Sequence, residues 1–96
     1  MIIRKLTAMP YAQAHVEIDD LGNINLFSYV TLVVSIDADG WLTCSGTYSQ
    51  TTRKHISAFM NEYTGLNYYN AKACYTEGYK LNIHTGEVVF LNEEEE

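Results

Sequence analysis

The residues able to do chemistry are few and scattered. The 96-residue chain holds three histidines, His15, His55 and His84, and two cysteines, Cys44 and Cys74. None sits in a metal-protease helix motif, a paired-cysteine motif or a nucleophile elbow, and neither cysteine has a second one at metal-ligand spacing. A nucleophile–base pair could be assembled in space from Cys74 and His84 with an acid, but chance supplies such sets readily, so no catalytic residue, metal site or cofactor is expected and the chain reads as a non-enzyme. The histidines are expected to be partly exposed. The cysteines, isolated in strand-like contexts, are expected to be buried free thiols. Asp37-Ala38-Asp39-Gly40 resembles the start of a calcium loop, yet Trp41 and Leu42 follow where further oxygen ligands belong and no Glu comes before Glu62; a hairpin turn is the expectation.

Two features remain as candidates for binding. Thr51-Thr52-Arg53-Lys54-His55 places cations in the first turn of a predicted helix, where the macrodipole disfavours each by a few tenths of a kcal/mol or about that. Free helix N–H groups, the hydroxyls of Ser49, Thr51 and Thr52, and the charges of Arg53 and Lys54 could together receive an anion or a partner's carboxylate. The plainer reading is that Arg53 and Lys54 cover the solvent side of an amphipathic helix or pair with glutamates at the chain's end. The second feature is an excess of aromatics, eight tyrosines among them. Tyr48, Tyr63, Tyr69 and Tyr75 are predicted inward. Tyr29, Trp41 and Tyr68 are placed on the opposite sheet face, where amphipathic rings favour protein contacts. Stacking on single-stranded nucleic acid would need cations among these rings, and only Lys72 and Lys80 stand near them in sequence.

The elements that must position these groups follow from periodicity. Residues 11–18 read as a strand and 19–23 as a turn. Residues 26–36 alternate as one long central strand, with Leu26, Ser28, Val30, Leu32, Val34 and Ile36 on one face. Residues 41–49 return from the Asp-Gly turn. Ile56, Phe59, Met60 and Tyr63 then fall at helical spacing, with Ser49 or Thr51 as cap and Gly65 as terminator, so residues 51–64 are the one predicted helix. Residues 68–75, 79–84 and 87–91 alternate as strands. The expected fold is α+β: an antiparallel sheet of five to six strands in the order β-β-β-α-β-β-β, with one helix packed on one face.

Composition bounds the rest. The length and 47% hydrophobic content suit one domain, residues 1–92, followed by an acidic tail, residues 93–96. The net charge is −6, but four of the twelve acids are that tail, so the body carries eight acids against six bases. That is neither the basic footprint of a nucleic-acid binder nor the acidic face of a mimic. No apolar run is long enough for a membrane span, and the first residues lack a signal-peptide core, so a cytoplasmic protein without membrane contact is expected.

Ser28-Tyr29-Val30-Thr31, followed by Tyr48-Ser49-Gln50-Thr51-Thr52-Arg53-Lys54-His55-Ile56-Ser57-Ala58-Phe59, carries the pattern Ser-Tyr-x-Thr then Tyr-Ser-x-Thr-Thr-x-x-His-Ile-x-x-Phe. In this the chain resembles small uncharacterised proteins of phages and mobile genetic elements. The resemblance brings no site residue with it. It implies a bacterial host's cytoplasm as setting and a host protein as partner, with an anti-CRISPR-like or other anti-defence inhibitor of a defence nuclease as the leading expectation. A nucleic-acid or nucleotide-binding module built on the cationic helix start is the alternative, and a homodimer through the Tyr29 and Trp41 face is a further expectation.

Overall fold

The computed structural model describes residues 1–46 and 49–91. Seven strands, β1 (Ile2–Arg4), β2 (Ala14–Ile18), β3 (Ile24–Ser28), β4 (Thr31–Ile36), β5 (Trp41–Cys44), β6 (Tyr79–Asn82) and β7 (Val88–Phe90), form one antiparallel sheet in sequence order. Two helices, α1 (Gln50–Tyr63) and α2 (Tyr68–Glu77), enter between β5 and β6. The α+β class is as expected, and the observed order is β-β-β-β-β-α-α-β-β. Among the described residues no helix is long and apolar enough to cross a membrane.

Three differences from the sequence reading have physical causes. Residues 26–36 are two strands, because the chain reverses at Tyr29-Val30. Tyr29 takes φ 60°, a left-handed conformation uncommon outside glycine, and its N–H donates to the Gln13 carbonyl at 2.6 Å. A bulge in β4 follows: Leu26 pairs with Val34 but Phe27 with Leu32, so Val33 is the extra residue. The bulge turns both Val33 and Val34 into the core and sends Leu32 outward, against the simple alternation.

Residues 68–75 are helical, not extended. Asn67 accepts from the Asn70 N–H while the Asn70 side chain accepts from the Asn67 N–H, a reciprocal cap, and Gly78 ends the helix at φ 75°. Ala71 and Cys74, three residues apart, are the buried positions. Tyr69 is 70% exposed and Tyr75 also points outward, whereas Tyr63 is half-buried. Tyr48 and the acidic tail lie outside the described residues. The third difference is β1, an unpredicted edge strand whose isoleucines are largely exposed.

The core lies between one sheet face and both helices. Ile2, Ile18, Ile24, Ile36, Leu42, Leu81 and Val88 form one aliphatic rung crossing all seven strands, buried at the centre and exposed at both edges. Ile56, Phe59 and Met60 of α1, with Ala71 and Cys74 of α2, seat on this face beside Val16, Leu26 and Leu6. The other face carries His15 stacked on Phe27 at 5.0 Å and Lys80 placed 4.8 Å above the Trp41 ring. At the Asp37 turn, Oδ1 accepts from the Asp39 and Trp41 N–H groups, so this carboxylate closes the hairpin.

Candidate binding groove along α1

Helix α1 carries two stripes. Thr52, His55, Ile56, Phe59 and Met60 face the sheet and are buried. Gln50, Arg53, Lys54, Ser57 and Asn61, at i, i+3, i+4, i+7 and i+11, face outward on a common side.

The cap and the inward stripe occupy two of the five residues of the predicted anion site, Ser49 and Thr52. Ser49 caps α1 as expected, its Oγ accepting from the Thr52 N–H at 3.2 Å. The Ser49 hydroxyl also lies 3.3 Å from Thr52 Oγ1, which is 3.0 Å from Ser28 Oγ, and Ser28 Oγ is 2.8 Å from His55 Nδ1. This relay ties the helix start to the end of β3. Ser28 is 2% exposed and His55 1%. His55 is therefore a buried histidine, not a partly exposed one, and burial holds its pKa below the usual 6.5. The Tyr29 ring lies tilted 6.0 Å from its imidazole. Ser28 and His55 are bonded to each other as a nucleophile and base would be, but both are buried, and among the described residues their one further partner is the Thr52 hydroxyl, not an acid. The cap and buried hydroxyls of Ser49 and Thr52 are thus spent inside the protein, and Thr51 is exposed to one side.

The outward stripe forms the floor of an open groove. Arg53 and Lys54, the charged members of the predicted site, lie in it. Two adjoining hollows of about 450 and 340 Å³ share Lys54 and Ser57. The first is bordered by Ala8, Met9, Ala58, Asn61, Leu66 and Asn67, the second by Gln50, Arg53, Tyr68 and Tyr69.

Each wall is held by identifiable bonds. The segment bearing Ala8 and Met9 is fixed because Thr7 donates from both its N–H and its hydroxyl to the Glu62 carboxylate, each at 2.9 Å, while Leu6 is anchored in the core. On the other side Thr64 Oγ1 donates to the Met60 carbonyl and accepts from the Leu66 N–H, and the Asn67 cap then launches α2 so that Tyr68 and Tyr69 overhang the floor. Those two rings meet edge to face at 5.3 Å. Glu62, the nearest acid on α1, is turned away to hold Thr7. Neither Arg53 nor Lys54 belongs to the ion pairs found among the described residues, which join the Met1 amine to Asp20 and His15 to Glu17.

The predicted aromatic face does not assemble. Tyr29 sits at the β3–β4 turn, Trp41 lies on the uncovered sheet face, and Tyr68 is in the groove on the helical side. Sequence reading missed the pairing of Tyr68 and Tyr69 with Arg53 and Lys54, since it requires α2 to be a helix. The remaining reactive groups lie outside the groove. Cys74 is buried, its pKa pushed up to about 11 chiefly by burial, and burial likewise raises that of Cys44. His84 is exposed beside the Gly40 turn.

Neither the curated proteins nor the solved structures contain a match to this chain. One family model does match, over residues 2–77. That span runs from β1 to the end of α2, so it includes the relay, both walls of the groove and both of its cations, and by it the chain belongs to the family of unknown function DUF8033.

Proposed function

We propose that the chain is a non-enzymatic interaction protein that binds a partner protein through the groove along α1. The observation that supports this reading is the composition of the groove: in a chain of net charge −6, its lining among the described residues has two cations, two tyrosines and several amides but no carboxylate. Cations, rings and amides are groups that hold a ligand, whereas Ser28, Thr52 and His55, which lie within hydrogen-bond reach of one another, are shut in the core. The negative remainder of the surface favours approach to a basic host protein. An anti-defence inhibitor, anti-CRISPR-like in acting on a host nuclease, is the narrower form of this reading; it rests on the phage-type resemblance.

The test is capture from a bacterial lysate on immobilised protein, beside the Arg53→Ala/Lys54→Ala variant, at low and high salt. A discrete protein retained by the parent and lost by the variant is expected. Capture of no specific protein, or capture that the variant leaves unchanged, overturns the reading.

Nucleic acid is the second reading, favoured by the meeting of Tyr68 and Tyr69 with Arg53 and Lys54, since rings interleaved with cations suit a single strand. Anisotropy of labelled single- and double-stranded oligonucleotides at low salt separates the two. Oligonucleotide binding that the double variant abolishes would establish this second reading in place of the first.

A further inference from the structure

Resting on the reading of the groove as a protein-binding site, we infer that its occupant is an extended acidic segment of the partner: two adjacent carboxylate side chains followed, about three residues along, by an aliphatic anchor. Charge complementarity fixes the first half. Arg53 and Lys54 are consecutive, exposed and on one turn, and the only acid close by on α1, Glu62, is occupied by Thr7. A ligand with carboxylates at that end meets two cations and no repulsion from the lining.

The second half comes from the other end of the groove, where Met9, Ala58 and Leu66 supply apolar surface. From Lys54 to Asn61 the helix rises about 10 Å at 1.5 Å per residue, which an extended chain covers in about three residues. Between the ends, Ser57, Asn61 and Asn67 offer donors and acceptors to a peptide backbone, groups that a purely electrostatic ligand would not use. A single-stranded nucleic acid fits less well: its uniformly charged backbone carries no aliphatic group to seat against Met9, Ala58 and Leu66.

The experiment is an amide chemical-shift titration of the whole chain with blocked pentapeptides. The probes are Glu-Glu-Ser-Ser-Leu and its reversed sequence, each with a glutamine-for-glutamate and a serine-for-leucine counterpart, and pentathymidylate. One chain direction of the acidic peptide is expected to shift amides within residues 50–61 and 66–69. Loss of two exposed ion pairs in the glutamine peptide should weaken binding by about tenfold, and the serine-for-leucine change by several-fold. Arg53→Glu/Lys54→Glu should reverse the preference to a Lys-Lys-Ser-Ser-Leu peptide, which a merely unfolded variant could not do.

Equal binding of the glutamine peptide, shifts confined to other surfaces, tighter binding of pentathymidylate, or no shift with any peptide would overturn the inference. The two proposals fail separately. A lysate partner that depends on Arg53 and Lys54, with no preference for the acidic peptide, would leave the groove's role standing and remove only the acidic segment.

Discussion

Replacing Ser28 with Ala isolates the relay under α1. The substitution removes one oxygen and little volume, so the effect is almost wholly that of hydrogen bonding. Ser28 Oγ serves Thr52 Oγ1 at 3.0 Å and His55 Nδ1 at 2.8 Å. Without it Thr52 keeps the Ser49 hydroxyl at 3.3 Å, but His55 Nδ1 has no other bonded partner among the described residues. Stranding one buried polar atom costs about 1–3 kcal/mol. Taking about 2 kcal/mol, the midpoint of thermal unfolding should fall by about 8–16 °C in a domain of this size. Urea unfolding followed by circular dichroism measures the free energy directly. The companion His55→Leu removes the group that Ser28→Ala strands, so the double variant should cost less than the two single losses together by about 1 kcal/mol or more. A Ser28→Ala variant within about 0.5 kcal/mol of the parent, or strict additivity in the double, would refute the account of the relay as a coupled unit.

Three further outcomes follow from other parts of the fold. Burial lowers the folded-state pKa of His55 below 6.5, so the unfolded chain binds the extra proton more readily; stability is fully present above pH 6.5 and falls as the pH drops through that value toward the folded pKa. The slope should flatten in His55→Leu, as read by urea unfolding at a series of pH values, and its onset at 6.5 is above the range in which Asp19, held below 3.8 mainly by the Asn23 side-chain amide, protonates. Gly40→Ala should destabilise by about 1–2 kcal/mol in the same assay, the cost of a left-handed alanine at φ 93°, because the exposed His84 ring that its Cβ would overlap can swing aside; Gly40→Ala/His84→Ala should therefore recover little. With its pKa near 11, Cys74 should be thiolate in only about one molecule in a thousand at pH 8, so labelling by a disulfide reagent should be slow when folded and fast in urea.

Much of the frame was legible from residue patterns. The stripe from Ile56 to Tyr63, the Ser49 cap and Gly65 located α1 within one residue at each end. Short acids and glycine marked the turns at residues 19–23 and 37–40, where Asp19 and Asp37 accept the turn amides. What escaped had no local signature. The reversal at Tyr29-Val30 uses neither Gly, Asn nor Asp, and is imposed by the pairing of Ser28 with Thr31 and by the bond to Gln13. Alternating tyrosines and alanines hid α2 because small residues satisfy periods of two and of 3.6 alike, and only the Asn67–Asn70 cap distinguishes them. For the site, sequence located Arg53 and Lys54 but credited the helix terminus, where Ser49 is occupied as the cap and Thr52 is buried; the groove depends on Thr7 meeting Glu62, 55 residues apart, which no local pattern encodes.

The order of strands in the sheet has a kinetic consequence. Every strand neighbours its successor in the chain, so most of the ladder can close by short local steps. The one slow seam is between β5 and β6, which must wait until α1 and α2 have coiled and docked. The groove is built from that same excursion and from the segment before β2. Its walls should therefore be among the last parts of the molecule to set, after a five-stranded platform has already formed.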